Sequence, residues 1–216
     1  MIITIRKAIR MNRTATIIAC AVLLATVPAH GAGISKKYSY FTIGGATLDE
    51  LEKELGKRGP KVSTTGRRHP GATQMEFVTS VTYANNDRSC RVQEANVVVK
   101  AKIILPRWRS RGRADPDTRI VWDTLSADIK RHEESHVVIA KNHAREIEQA
   151  LEGMGPAANC EMLAVKGKVL TARVMEKHDR EQARFDRVEG INFEARMLRL
   201  LKYRVKRIED GRLSGG

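Results

Sequence analysis

Aromatic residues are scarce in this 216-residue sequence, only 5% of it, so no aromatic-lined specificity pocket can be named from the chain. Cysteine is equally sparse, with three in all, and one of them, Cys20, falls in an N-terminal apolar run. That run, Ala15 to Val27, is about 13 residues long, too short to cross a bilayer comfortably. No internal repeat is visible, which removes solenoid and array architectures. Acidic residues are outnumbered, 25 against 39 Lys and Arg, for a net charge of +14. Such an excess points toward an anionic partner.

Part of that charge belongs to a segment read as a secretory signal peptide spanning 1–31. Arg6, Lys7, Arg10 and Arg13 precede the apolar run, and small residues follow at Val27-Pro28-Ala29 and Ala29-His30-Gly31. Cleavage near Ala29 or Gly31 removes four basic residues and leaves +10. Met11 is an alternative start. The expected location is the periplasm or the exterior, with no membrane span once the signal is gone. There Cys90 and Cys160 would pair as a disulfide. The rest, 42% hydrophobic overall, is expected as one domain over 32–210 with a flexible tail at 211–216.

What the chain does have is His132-Glu133-Glu134-Ser135-His136, inside a helix expected from about Asp117 to about Leu151. Trp122, Leu125, Ile129, Ile139, Ile147 and Leu151 make an apolar stripe at helical spacing, and His132, His136 and His143 fill its gaps. Two His four apart can close on one Zn²⁺, with Glu133 beside them as the general base that takes a proton from metal-activated water. The alternative is a pair of core histidines bonded to neighbouring helices.

Around this helix, Lys37–Ile43 reads as a strand, Thr47-Leu48-Asp49-Glu50 as a capping box, and Gly59-Pro60 as that helix's stop. Lys61–Thr73 reads as a basic loop with a solvent-exposed His69. Met75–Tyr83 and Arg91–Leu105 should form a hairpin ended by Pro106. Arg107, Arg109, Arg111 and Arg113 alternate with Trp108, Ser110 and Gly112, a pattern suited to phosphate-rich polymers but equally to a solvated loop lining a cleft. Two further helices follow, from about Cys160 to about Arg184 and from about Ile191 to about Ile208. The fold class is α+β: a small antiparallel sheet, hairpin plus N-terminal strand, packed with a zincin-like bundle of long helices.

A catalytic zinc needs a third protein ligand, and the sequence leaves it open. His143 shares the helical face, yet about 16 Å separates it from His132 along a straight helix. Candidates on a neighbouring helix are Glu176, His178, Asp179, Glu181 and Glu189, and Glu146 could orient a ligand from behind.

The His-Glu-x-x-His helix continuing to His143-Ala144-Arg145, with Gly44, Gly59-Pro60, Cys90, Leu105-Pro106-Arg107-Trp108, Trp122 and Cys160, resembles a bacterial family of predicted secreted zinc-dependent proteases catalogued as a domain of unknown function. The resemblance implies metal-dependent peptide hydrolysis outside the cytoplasm. Relatives continue from a Tyr-Asp segment to Thr and His-Gly; here Phe185-Asp186 matches only the beginning and the later His is missing. If that His serves in relatives, a substitute such as Glu189 is needed here.

The expectation is therefore a zinc metallopeptidase acting on a peptide or protein substrate, with His132 and His136 as metal ligands and Glu133 catalytic. The competing expectations are an inactive zinc-stabilised binding module, and a basic binder of an anionic envelope polymer. Nucleic acid is the less favoured partner because one arginine-rich run is its sole support.

Overall fold

The structure, a computed structural model, describes residues 32–62, 66–86 and 88–214. The signal-peptide reading of 1–31 and the last two residues of the expected tail lie outside these.

Strand β1 (Gly33–Ile43) leads to helix α1 (Leu48–Arg58). Half of its capping box forms as the sequence demands, with Thr47 Oγ1 accepting from Glu50 N at 3.3 Å, while the Glu50 carboxylate accepts from Ala46 N at 2.6 Å, one residue before the cap. Gly59 ends it at a close approach, since a Cβ there would stand 2.1 Å from the His69 carbonyl oxygen. The hairpin follows as β2 (Ala72–Asn86) and β3 (Ser89–Trp108), both longer than their β-branched cores.

The class is α+β, and the three strands lie in the order β1-β3-β2. The sheet is mixed rather than wholly antiparallel. β2 and β3 pair antiparallel as a hairpin, but β1 runs parallel to β3, from Gly33↔Val98 to Ile43↔Trp108. The long connection through α1 and the 59–71 loop makes the parallel arrangement reachable. Pro106 does not end β3. β2's last partner is Ile104, so β3 is bordered only by β1 there and a missing N–H is tolerated. Where β1 has not yet begun, α2 supplies acceptors instead: Glu148 takes Val97 N–H at 2.8 Å and Glu152 takes Ala95 N–H at 3.2 Å.

Helix α2 (Pro116–Glu152) is capped by Asp115, whose side chain accepts from Thr118 N at 2.8 Å. It crosses the sheet, burying Ala140, Ala144, Ile147 and Leu151 against Val97 and Val99. Trp122 and Trp108 meet with ring centroids 5.5 Å apart, and the Trp108 indole N–H donates to Gly45 O. α3 (Cys160–Ile191) runs antiparallel to α2, since its contacts climb from Lys177–Glu146 through Glu181–His143 and Gln182–His136 to Asp186–His132. α4 (Phe193–Glu209) continues past Asn192 and is pinned to α2 by Arg196 on the buried Asp128 carboxylate, at 3.1 and 3.2 Å.

Cys90 and Cys160 are joined, tying the start of β3 to the start of α3 across 70 residues. A loop of that length makes the crosslink worth about 4 kcal/mol in the chain-entropy model. Among the described residues no helix is long and apolar enough to cross a membrane.

Candidate metal centre

Three donor atoms from two helices converge at the open edge between β2 and the α2/α3 pair. His132 and His136 sit one turn apart on α2 with their Nε2 atoms 3.1 Å from each other. Asp186, on α3, puts Oδ1 3.0 Å from His136 Nε2 and 3.3 Å from His132 Nε2. The donors form a nearly equilateral triangle. Ligands bound to a tetrahedral zinc at about 2.0–2.1 Å stand about 3.3 Å apart, so the triangle already has the spacing of one face of such a site. Two imidazoles and a carboxylate are also the donor set that zinc accepts with a fourth position left open.

The charges suit the same purpose. Burial opposes ionisation of Asp186, yet hydrogen bonds from His132 and His136 win and hold its carboxyl far below the usual range. Burial likewise works against a charged His136, but Asp186 and Gln182 outweigh it and raise its pKa. Behind the triangle each imidazole has a further partner: Gln182 Oε1 lies 2.5 Å from His136 Nδ1, and Glu189 lies 3.6 Å from His132 Nδ1. Phe185 stacks on the His132 ring with centroids 5.0 Å apart.

Glu133 is buried, more so than either neighbouring histidine, and this raises its pKa despite a hydrogen bond from Thr73 and the attraction of His136 and His132. Thr73 Oγ1 lies 2.8 Å from Glu133 Oε2 and 3.0 Å from Glu133 O, so β2 grips both ends of the residue. Gly71 leaves room for this, because a Cβ there would meet Glu133 Oε1 at 2.8 Å. His132, Glu133, His136 and Asp186 share a cleft of about 430 Å³, walled on its other side by Pro60, His69 and the start of β2.

Several sequence expectations are redirected. Of the three histidines expected to face inward, His143 is buried, whereas His132 and His136 are partly exposed. His69 is half-buried on the cleft wall rather than fully solvated. The candidate third ligands do not reach the triangle. α2 runs unbroken through His143, whose nitrogens face Glu146 at 3.2 Å and Glu181 at 2.9 Å. His178 pairs with Asp179 at 2.9 Å, Glu176 is exposed, and Glu189 is held by Arg131 and, at 3.4 Å, by Arg196. Asp186 stands in their place.

The arginine run does not line the cleft. Arg107 stacks over Tyr40 at 4.5 Å, Arg111 pairs with Asp123 at 2.8 Å, and Arg113 donates to Ser110 Oγ, all toward α2's N-terminal end. Arg107, Arg109 and Arg113 are nonetheless exposed.

An α+β protein with a His/His/Asp cluster and an adjoining buried glutamate in one cleft is the class that fold and site define. The chain belongs to the bacterial family of unknown function DUF922, whose model matches residues 38–194. The match takes in the cleft and all of α1, α2 and α3, and leaves most of α4 outside. No curated protein and no solved structure shows a significant match.

Proposed function

We propose that this chain is a zinc-dependent metallopeptidase that works in the periplasm or outside the cell. The observation that carries the reading is the donor triangle of 3.0, 3.1 and 3.3 Å beside a buried glutamate in the same cleft. His132, His136 and Asp186 would hold the metal. Zinc in such a site supplies Lewis acidity, lowering the pKa of a water at the open position and polarising a carbonyl.

Glu133 has the position and chemistry of the general base. Its raised pKa brings it closer to neutral pH, where a carboxylate both accepts a proton readily and can return it to a leaving amine. Thr73 keeps the carboxyl group aimed while that proton is held. The cleft between β2's first residues and α3 has a volume of about 430 Å³, in the range of small-ligand sites. The Cys90–Cys160 bridge suits an oxidising compartment, which supports a location beyond the cytoplasm.

The test is cleavage of a mixed peptide library by the zinc-loaded protein beside Glu133→Gln. Hydrolysis that stops with the substitution and with chelator supports the reading. A zinc-loaded protein that cleaves nothing, with Glu133→Gln equally stable, would make it a zinc-stabilised binding module instead.

A further inference from the structure

His178 is buried, it lies on the same face of α3 as Asp186, and metal chemistry as described above does not use it. Its role is legible in the hydrogen bonds that connect it to His136 through Gln182. The two amide atoms of Gln182 grip one residue. Nε2 lies 3.1 Å from the His136 backbone oxygen, and Oε1 lies 2.5 Å from His136 Nδ1.

The direction of each bond follows from one fixed point. A backbone carbonyl only accepts, so the atom facing it must be the amide nitrogen. Oε1 is then the atom on His136 Nδ1, and because an amide oxygen only accepts, Nδ1 must carry the proton. Nε2 is then the nitrogen turned to the donor triangle, where without metal it donates to the Asp186 carboxylate at 3.0 Å, so a metal bound there would replace the Nε2 proton and leave the Nδ1–H on Gln182. A flipped amide would set oxygen against oxygen and would present N–H to Nδ1, favouring the wrong tautomer.

His178 holds the other end. Gln182 Nε2 has a second hydrogen, and His178 Nε2 lies 2.9 Å away, where it accepts only if unprotonated. His178 Nδ1 faces Asp179 Oδ1 at 2.9 Å, which places the His178 proton there and leaves its Nε2 bare. Burial, the main influence, lowers the His178 pKa in spite of Asp179, in keeping with a neutral ring.

We propose that Gln182 is a positioning residue that keeps the proton on His136 Nδ1, so that Nε2 is the nitrogen presented to the metal, and that His178 with Asp179 locks the orientation of the Gln182 amide. The proposal rests on the metal-centre reading for its purpose, though its first readout does not need metal. Outer partners of this kind change metal affinity by about 10- to 100-fold when lost.

The experiment uses the full mature chain, with ¹⁵N-labelled histidine reading the hydrogen-bonded His136 Nδ1–H proton in the metal-free protein, and zinc affinity measured by competition with a chromogenic chelator. Two variants separate hydrogen bonding from packing. Gln182→Met keeps the bulk and removes the acceptor; Gln182→Glu keeps the acceptor and disturbs the rest. The wild-type protein should show His136 protonated at Nδ1. Gln182→Met should lose that preference and bind zinc about 10- to 100-fold more weakly at unchanged stoichiometry. Gln182→Glu should retain the Nδ1–H tautomer and stay within a few-fold of wild-type affinity. Gln182→Met with the wild-type tautomer and affinity would overturn the proposal, as would a Gln182→Glu protein that loses both. A wild-type chain that binds no zinc would sink the metal reading separately, while the tautomer comparison would still decide the role of Gln182.

Discussion

Two pairs of histidines bridge α2 and α3, each accompanied by carboxylates, and they differ in how their donors are aimed. At the cleft end, His132, His136 and Asp186 turn three atoms onto one point, 3.0 to 3.3 Å apart, and the point is reachable from solvent. Two turns further along α2, His143 has its nitrogens capped separately by Glu146 and Glu181, and His178 has its nitrogens capped by Asp179 and Gln182. The His143 and His178 rings stand edge to face, with centroids 5.5 Å apart. Residue types are nearly the same at both ends. Convergence of donor atoms on a shared, accessible point is what a metal site would require and a satisfied polar core would not.

The sharpest way to break this comparison is to remove each pair in turn. His132→Ala/His136→Ala should abolish zinc binding in equilibrium dialysis with only a small change in the metal-free melting curve. His143→Ala should do the reverse, keeping one zinc per chain while costing about 2–3 kcal/mol, because a buried ring is lost and a cavity left between the helices. Denaturant titration of the metal-free protein reads that cost.

Next in size is Glu133→Gln, which should leave zinc content intact and slow peptide cleavage by about 10²–10⁴-fold, the usual range for a general base. Equal cleavage by the variant would remove Glu133 from the mechanism. Asp186→Asn and Glu189→Gln then test which α3 carboxylate belongs to the triangle. We expect zinc affinity to fall by about 100-fold for the first and by less than about tenfold for the second, since Glu189 stands only behind His132.

The smaller effects concern stability. Asp128 is buried, which alone would raise its pKa, but Arg196 and Arg131 outweigh burial and lower it. A carboxyl whose pKa is lower folded than unfolded stabilises the fold above about pH 4 and loses that contribution as pH falls through the folded value. Asp128→Asn should therefore destabilise the chain by about 3 kcal/mol at neutral pH, by leaving Arg196 without its buried partner. The gap between variant and wild type should shrink on acidification, and urea melts at pH 7 and pH 3 measure both numbers.

Much of the fold was legible locally. Thr47 and Asp115 announce their helices because capping is decided within four residues, and the hairpin strands announce themselves by β-branched alternation. The parallel placement of β1 was not legible, because a strand's partner is chosen by tertiary packing and nothing in Gly33–Ile43 encodes its neighbour. The His132–His136 spacing was plain, and so was Glu133 between them. Asp186 was missed because α3 was expected to stop near Arg184, whereas it runs to Ile191. With the helix extended, His178, Gln182, Asp186 and Glu189 fall at steps of four, four and three, one face of a single helix, and that periodicity was in the sequence. Thr73 and Gly71 carried no such sign. Their contact with Glu133 depends on where β2 meets α2, sixty residues on.

The most direct measurement is the metal content of the chain over residues 32–216, purified without a metal-affinity tag, beside Asp186→Ala and His132→Ala/His136→Ala. A zinc centre built from His132, His136 and Asp186 predicts about one zinc per native chain, weakened in the first variant and absent in the second. A native protein that holds no metal even after zinc is supplied would contradict it, and would leave both histidine pairs as hydrogen-bonded links between the same two helices.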